Sequence, residues 1–328
     1  MYNNSCRAQI MGELLRNNKV HEIADDCFLN VKRDYFTCLK LLWIEEKWNI
    51  VSDNFYEWEE EIKNSYDFLL LNHNECNVEY GKREIIILNR RLFNVLSSIR
   101  MYRDQVLKDL SDLDNELKKE FENETHAQYD KTFSYQIMEF IRNYMQHQGL
   151  VIERITMITP FSMLYNPLFN TTKMEHLLYF AEADYWTIRK IPKYEQKIKN
   201  RPEAEEKIRW INLIGLLREY YNQYLDLHHF FRDITKKISD AAIAYIEQTI
   251  KNIYVDMPIN EIGFYGKKDS QDFQDFLLQI TYIEQLKKYR EKDIPFDTTR
   301  YYISKKCFLS SDGVKVTNSE RVSIRYNK

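Results

Sequence analysis

Glycine and proline are scarce. The 328 residues hold only 7 Gly and 6 Pro, far below ordinary usage, and so few turn-formers and breakers point to long helices. The cysteines (Cys6, Cys27, Cys38, Cys76 and Cys307) are odd in number and widely spaced, with no C-x-x-C pair. That argues against a disulfide framework or a zinc site, and reduced thiols fit the cytosol. No apolar run follows a basic start, and none approaches the ~18 uninterrupted residues of a spanning helix. The sequence therefore reads as soluble and cytoplasmic, with no membrane partner. A formal net charge of −3 excludes a globally basic nucleic-acid binder, so any RNA site must be a local patch. Walker, G-x-G-x-x-G, H-E-x-x-H and G-x-S-x-G motifs are also missing, which argues against nucleotide-dependent, zinc-hydrolytic and serine-hydrolase chemistry. Neither a cofactor nor a metal is expected.

Aromatics are plentiful, with 24 Tyr and 18 Phe, and they supply large buried areas with a polar handle on tyrosine. Helical periodicity runs from about 32 to 71 through Tyr35, Leu39, Leu42, Trp48, Phe55, Trp58, Ile62, Tyr66 and Leu69, with a break expected near Val51–Asn54. The longest helix is expected from about 83 to 121. On it Ile85, Leu92, Ile99, Val106 and Leu113 repeat every seven residues beside a second row, Leu96, Leu110 and Leu117. Asn89 and Arg103 interrupt that second row. An arginine on a packed face needs a salt bridge or an anionic ligand, and both readings of Arg103 stay open. Between Lys82 and Lys108 basic residues dominate, after which the chain turns acidic. The basic stretch is either a local surface for a polyanion or a solvated face of paired charges.

A strand is expected near 150–158, helical patterning from 173, and a helix start at Pro202 extending to about 255. A last helix is expected over 270–292, followed by a small hairpin from Tyr301. His228 and His229 are adjacent, hence ~100° apart on a helix, and share no ligand face. The expected fold class is mainly α, a long-helix bundle with minor β. Residues 1–80 would be a helical segment packed on the core, 81–150 a helix pair carrying the site, and 151–328 a C-terminal helical region.

The chemistry concentrates at Arg142-Asn143-Tyr144-Met145-Gln146-His147. This stretch ends an amphipathic helix built on Phe133, Ile137, Phe140, Ile141 and Tyr144, with Thr132 or Asp130 able to cap its start and Gly149 able to end it. A guanidinium holds phosphate bidentately, and an imidazole moves protons near neutral pH. Asn143 and His147 share a face, whereas Arg142 and His147 stand about 140° apart. Either the arginine reaches round, or the last turn loosens, or two subunits complete each other's sites. The plain alternative is that Arg142 pairs with a carboxylate and His147 caps the helix end. A second copy, Arg16 to His21, runs through Asn-Asn-Lys with no apolar stripe and is set aside as fortuitous.

Arg-x4-His with a polar residue after the arginine resembles the signature of the HEPN superfamily, and roughly 83–150 is similar to bacterial HEPN-type proteins. The resemblance implies an all-helical, metal-independent endoribonuclease acting as a toxin or in anti-phage defence. It also implies RNA as substrate, a homodimer with sites formed across it, and a regulatory protein partner. Arg142, Asn143 and His147 would be catalytic. Arg100, Arg103, Asn94 and Ser97 on the preceding helix would bind substrate. The competing reading is a non-catalytic helical interaction or RNA-binding protein.

Overall fold

In a computed structural model the described residues are 6–10, 20–71, 78–158, 178–184, 210–253, 261–266 and 271–291. They are mainly helical. Among the described residues there are six helices, α1 (Asp25–Leu71), α2 (Val78–Leu113), α3 (Asn115–Lys131), α4 (Phe133–His147), α5 (Leu213–Ile253) and α6 (Ile280–Glu291), and seven short strands. These are β1 (Cys6–Ile10), β2 (His21–Ile23), β3 (Ile152–Ile158), β4 (Leu178–Asp184), β5 (Trp210–Asn212), β6 (Glu261–Tyr265) and β7 (Phe276–Gln279). The strands form two antiparallel sheets, ordered β2-β1-β6-β7 and β3-β4-β5.

The chain divides into two units. One takes residues 1–48, 105–118 and 230–294; the other takes 49–104, 119–229 and 295–328. In the first, Phe28 packs against Phe264, Phe273 and Phe276, and Phe264 stacks on Phe276 at 4.8 Å. Here Glu45 is fully buried, binds Arg232 at 2.6 Å and lies 3.8 Å from Arg290. Arg290 donates onward to Thr235 and Ser239 and lies over the Phe231 ring. The second unit has a core rich in tyrosine, with Phe55 stacked on Tyr221 at 3.9 Å, and it carries every candidate site residue.

The expected strand near 150–158 is β3, and the apolar stripe of α1 is buried from Tyr35 to Ile62. Tyr66 and Leu69 belong to side chains outside those described. Several expectations are corrected. Helix α1 is continuous through 51–54, because Val51, Ser52 and Phe55 stay buried and Asn54 Nδ2 bonds back to Ile50 O at 2.8 Å. Among the described residues the longest helix is α1, at 47 residues against 36 for α2. The one expected over 83–121 ends at Leu113, where Asp114 Oδ1 accepts the Glu116 N–H at 2.8 Å and caps a new helix.

Residues 178–184 are strand rather than helix: Ala181 and Ala183 are buried where β4 pairs with β3, in the register Ile155↔Ala181. Long-range pairing overrides local pattern here. Trp210–Asn212 is also strand, and α5 begins only at Leu213, with Asn212 Oδ1 receiving the Ile214 N–H. The last helix is likewise shorter, preceded by a 3-10 turn at Gln271–Phe273 and by β7. The N-terminal segment is not purely helical, since β1 and β2 join the four-stranded sheet. The stretch 201–209 and the tail from Tyr301 lie outside the described residues.

Candidate active site

Helix α4 places seven buried residues, from Ser134 to Ile141, toward the core. Its polar row runs Tyr135, Glu139, Arg142, Gln146, spaced three or four residues apart and therefore on one side. The row leads from the buried start of the helix to its exposed end. Thr132 occupies the N-cap position but makes no capping bond; its hydroxyl donates to Gln128 O and accepts from Gln223. The other end is closed by backbone, with Gln148 and Gly149 N–H groups both bonding Tyr144 O, and Gly149 at φ 155°. A positive φ there favours glycine. Since backbone closes the helix, His147 is not needed as its cap.

Arg142 is half-buried. Its terminal nitrogens donate to Gln146 Oε1 at 3.1 Å and to Asn143 Oδ1, while Nε is sealed from water without a partner. Both acceptors are neutral amides, and no carboxylate pairs with Arg142 among the described residues. Its charge is thus held in place but not neutralised, unlike the ion pair that the plain alternative requires. His147 is exposed at the tip of the same helix. The fortuitous copy differs, with His21 on strand β2 and Arg16 outside the described residues.

Helix α2 runs antiparallel beside α4. Asn89 is fully buried, and its Oδ1 accepts from the Val151 and Ile152 N–H groups while Nδ2 donates to Ile152 O and Ile85 O, all at 2.8–2.9 Å. Eleven residues on, Arg100 Nη1 lies 3.8 Å from Glu139. Between these two contacts, Ser97 is one turn back from Arg100 and Arg142 is one turn on from Glu139, so the two stand abreast. Ser97 Oγ is sealed without a hydrogen-bond partner, and Asn94 is half-buried. Asn94 and Arg103, nine residues apart, point to opposite sides of α2 at ~100° per residue. The four residues assigned to substrate binding therefore do not form one face.

Arg100 is spent on Asp104 at 2.9 Å and on Glu139. Arg103 has neither hydrogen bond nor ion pair among the described residues, and its Nε is sealed. Of the two open readings, the salt bridge is not what the structure contains. Burial opposes the charge on Arg103, but at the high pH where arginine titrates the phenolates of Tyr224 and Tyr135, together with Glu139, hold it and leave its pKa above the usual arginine value. Around it Tyr135 donates to Tyr224 at 2.6 Å and Tyr220 to Glu139 at 2.6 Å. Burial raises all three tyrosine pKa values. At neutral pH they are uncharged, so among the described residues Glu139 is the anion that acts on both Arg100 and Arg103. Elsewhere in the basic stretch Arg91 is paired with Glu57 and Glu61, whereas Arg83 and Arg90 are exposed and make no hydrogen bond or ion pair among the described residues.

The sequence reading missed Gln146, Glu139 and Tyr220. Gln146 stands four residues after Arg142 and could have been found by that spacing. Tyr220 joins from another helix and left no local signal. His228 is buried and shares a 2.8 Å hydrogen bond with Tyr102 Oη, while His229 is exposed. Among the described residues no three His, Cys, Asp or Glu side chains are grouped to hold a metal ion, and no helix is long and apolar enough to cross a membrane. No family model, no curated protein and no solved structure matches this chain.

Proposed function

We propose that this chain is a metal-independent endoribonuclease of HEPN type, working as a toxin or anti-phage effector with its site at the end of α4. One observation carries the reading: Arg142 holds an unneutralised charge, braced by two neutral amides, on the same short helix end as exposed His147. A structural arginine in a half-buried position ordinarily finds a carboxylate. One fixed by amides is ready for an anion from outside, and a planar guanidinium suits phosphate.

In the proposed reaction His147 removes the proton of an RNA 2′-hydroxyl. The 2′-oxygen bonds to phosphorus, the bond from phosphorus to the 5′-oxygen breaks, and that oxygen takes a proton from water. The products are a 2′,3′-cyclic phosphate and a 5′-hydroxyl. Arg142 stabilises the charge that develops on the phosphoryl oxygens, and Asn143 fixes its fork. The angular offset between Arg142 and His147 favours a site completed by a second copy in a homodimer.

The test is incubation of purified protein with mixed RNAs in EDTA, beside Arg142→Ala and His147→Ala. The proposal expects cleavage by the wild type and loss in both variants. Cleavage persisting in both would discard these residues. A second reading, a non-catalytic helical interaction protein, draws on the exposed Ile86, Phe93 and Met101 of α2; absence of cleavage under every condition would favour it.

A further inference from the structure

One face of α2 combines features that the proposed reaction does not use. Arg83, Ile86, Arg90, Phe93 and Ser97 follow one another at three- or four-residue steps, so they line one side of the helix. Phe93 is 37% exposed, although the flanking Leu92, Val95 and Leu96 are buried. Arg90 makes no hydrogen bond or ion pair among the described residues, although its charge acts through space on Glu61, which lies 3.8 Å from Arg91. Nearby carboxylates are otherwise engaged: Glu84 is buried against Ser65, and Asp104 holds Arg100.

The height of Phe93 matters as much as its exposure. Seven residues before Arg100 on α2 is about 10 Å along the axis, and seven residues after Glu139 on antiparallel α4 is the same rise, at Gln146. Arg100 and Glu139 are in contact, so Phe93 stands level with the helix end that carries His147. Asn89, one turn further, clasps the backbone of Val151 and Ile152, which fixes that end against α2.

Resting on the nuclease reading, we infer that Phe93 is a stacking platform for one base of single-stranded RNA, with the strand running along Arg90 and Arg83. The ring accepts any base face, and the two arginines, which make no ion pair among the described residues, meet the backbone. Single strands are bound by this alternation of aromatic and cation, because unpaired bases expose their faces. A duplex hides them. A protein partner would call for a continuous apolar surface, whereas here Ile86 and Phe93 are separated by Arg90. Phe93 is thereby a specificity residue that selects unpaired RNA for the adjoining site.

The experiment uses the full chain and a fluorescent 2′-O-methyl RNA 12-mer, which lacks the 2′-hydroxyl and cannot be cleaved, followed by anisotropy as single strand and as duplex. Wild type is expected to prefer the single strand. Phe93→Ala weakens that binding about tenfold, within the range measured for base–aromatic stacking, with its salt dependence unchanged. Phe93→Tyr retains affinity. Arg90→Ala lowers the slope of log affinity against log salt by about one, as loss of a phosphate contact does. Equal affinity of Phe93→Ala and wild type, in a wild type that cleaves RNA, overturns this inference alone. Failure of wild type both to bind and to cleave overturns the nuclease reading beneath it. If Phe93→Ala instead turns a dimeric wild type into a monomer, the face is a protein interface and the inference is also overturned.

Discussion

Removal of the Asn89 side-chain amide should damage the region after α4 more than its single-residue size suggests. The side chain is fully buried and uses all four of its hydrogen-bonding capacities: two N–H groups, Val151 and Ile152, and two carbonyls, Ile152 and Ile85. The Ile85 carbonyl keeps its own helical bond. The two N–H groups and the Ile152 carbonyl belong to residues that are themselves about 1% exposed. Leaving one such group unsatisfied costs ~1–3 kcal/mol, so three orphaned groups with partial relaxation imply roughly 3–5 kcal/mol for Asn89→Ala, at the upper end of single-residue effects. Asn89→Asp keeps the two acceptors but sets a carboxylate against two carbonyl oxygens, and should fall at a similar or greater cost. Two measurements apply. Urea unfolding reports the global loss, and native-state hydrogen exchange reports the Val151 and Ile152 amides, which should lose protection first. A loss below ~1 kcal/mol with both amides still protected would show that the clasp is not what fixes the end of α4.

Four other outcomes follow from the same geometry. Glu45→Gln leaves Arg232 and Arg290 without their shared buried anion and should cost ~3–5 kcal/mol, seen as a large fall in Tm. Cys38 is sealed, and burial pushes its thiol up to about 12; mapped alkylation at pH 8 should leave it unmodified until the chain is unfolded. Burial raises the Asp109 carboxyl above its ordinary value despite a hydrogen bond from Gln105. Its contribution to stability is therefore fully present below the unfolded value near 3.9 and lost as pH rises through the native one, so Asp109→Asn should gain on wild type as pH goes from 4 to 7 in thermal melts. Arg142→Lys keeps the charge but not the fork, and the cleavage rate should drop on the order of 10²–10³, with no matching change in Tm.

The parts of this architecture carried by local periodicity were readable from the sequence. The apolar rows of α1, α2 and α4 put most of the right residues inside, although Ile85, Leu113, Phe133 and Tyr144 are only half-buried, and the scarcity of glycine and proline matched the helix lengths. The break at Asp114 escaped because Leu110, Leu113 and Leu117 keep their phase across it, while a single capping carboxylate decides the matter. Strands β4 and β7 escaped for the opposite reason: their state is set by pairing partners outside their own segments, Ile155 for Ala181 and Phe264 for Phe276. The polar interruptions at Asn89 and Arg103 were visible as anomalies, yet their partners were not. Asn89 answers to backbone groups about sixty residues on, and Arg103 to tyrosines on α4 and α5. Arg142 and His147 are proposed from residue type, spacing and the apolar stripe of their helix. The amide brace on Arg142 needed coordinates, although Gln146 sat in view four residues away.

The chemistry of the cut tests the central claim most directly. An RNA with one cleavable site, and its twin bearing a 2′-deoxynucleotide at that position, are incubated with the protein in EDTA and their ends read by mass spectrometry. The account predicts a 2′,3′-cyclic phosphate from the first, no cut in the second, and none of either with His147→Ala. Cleavage of the deoxy twin, or ends carrying a 5′-phosphate and 3′-hydroxyl, would contradict it.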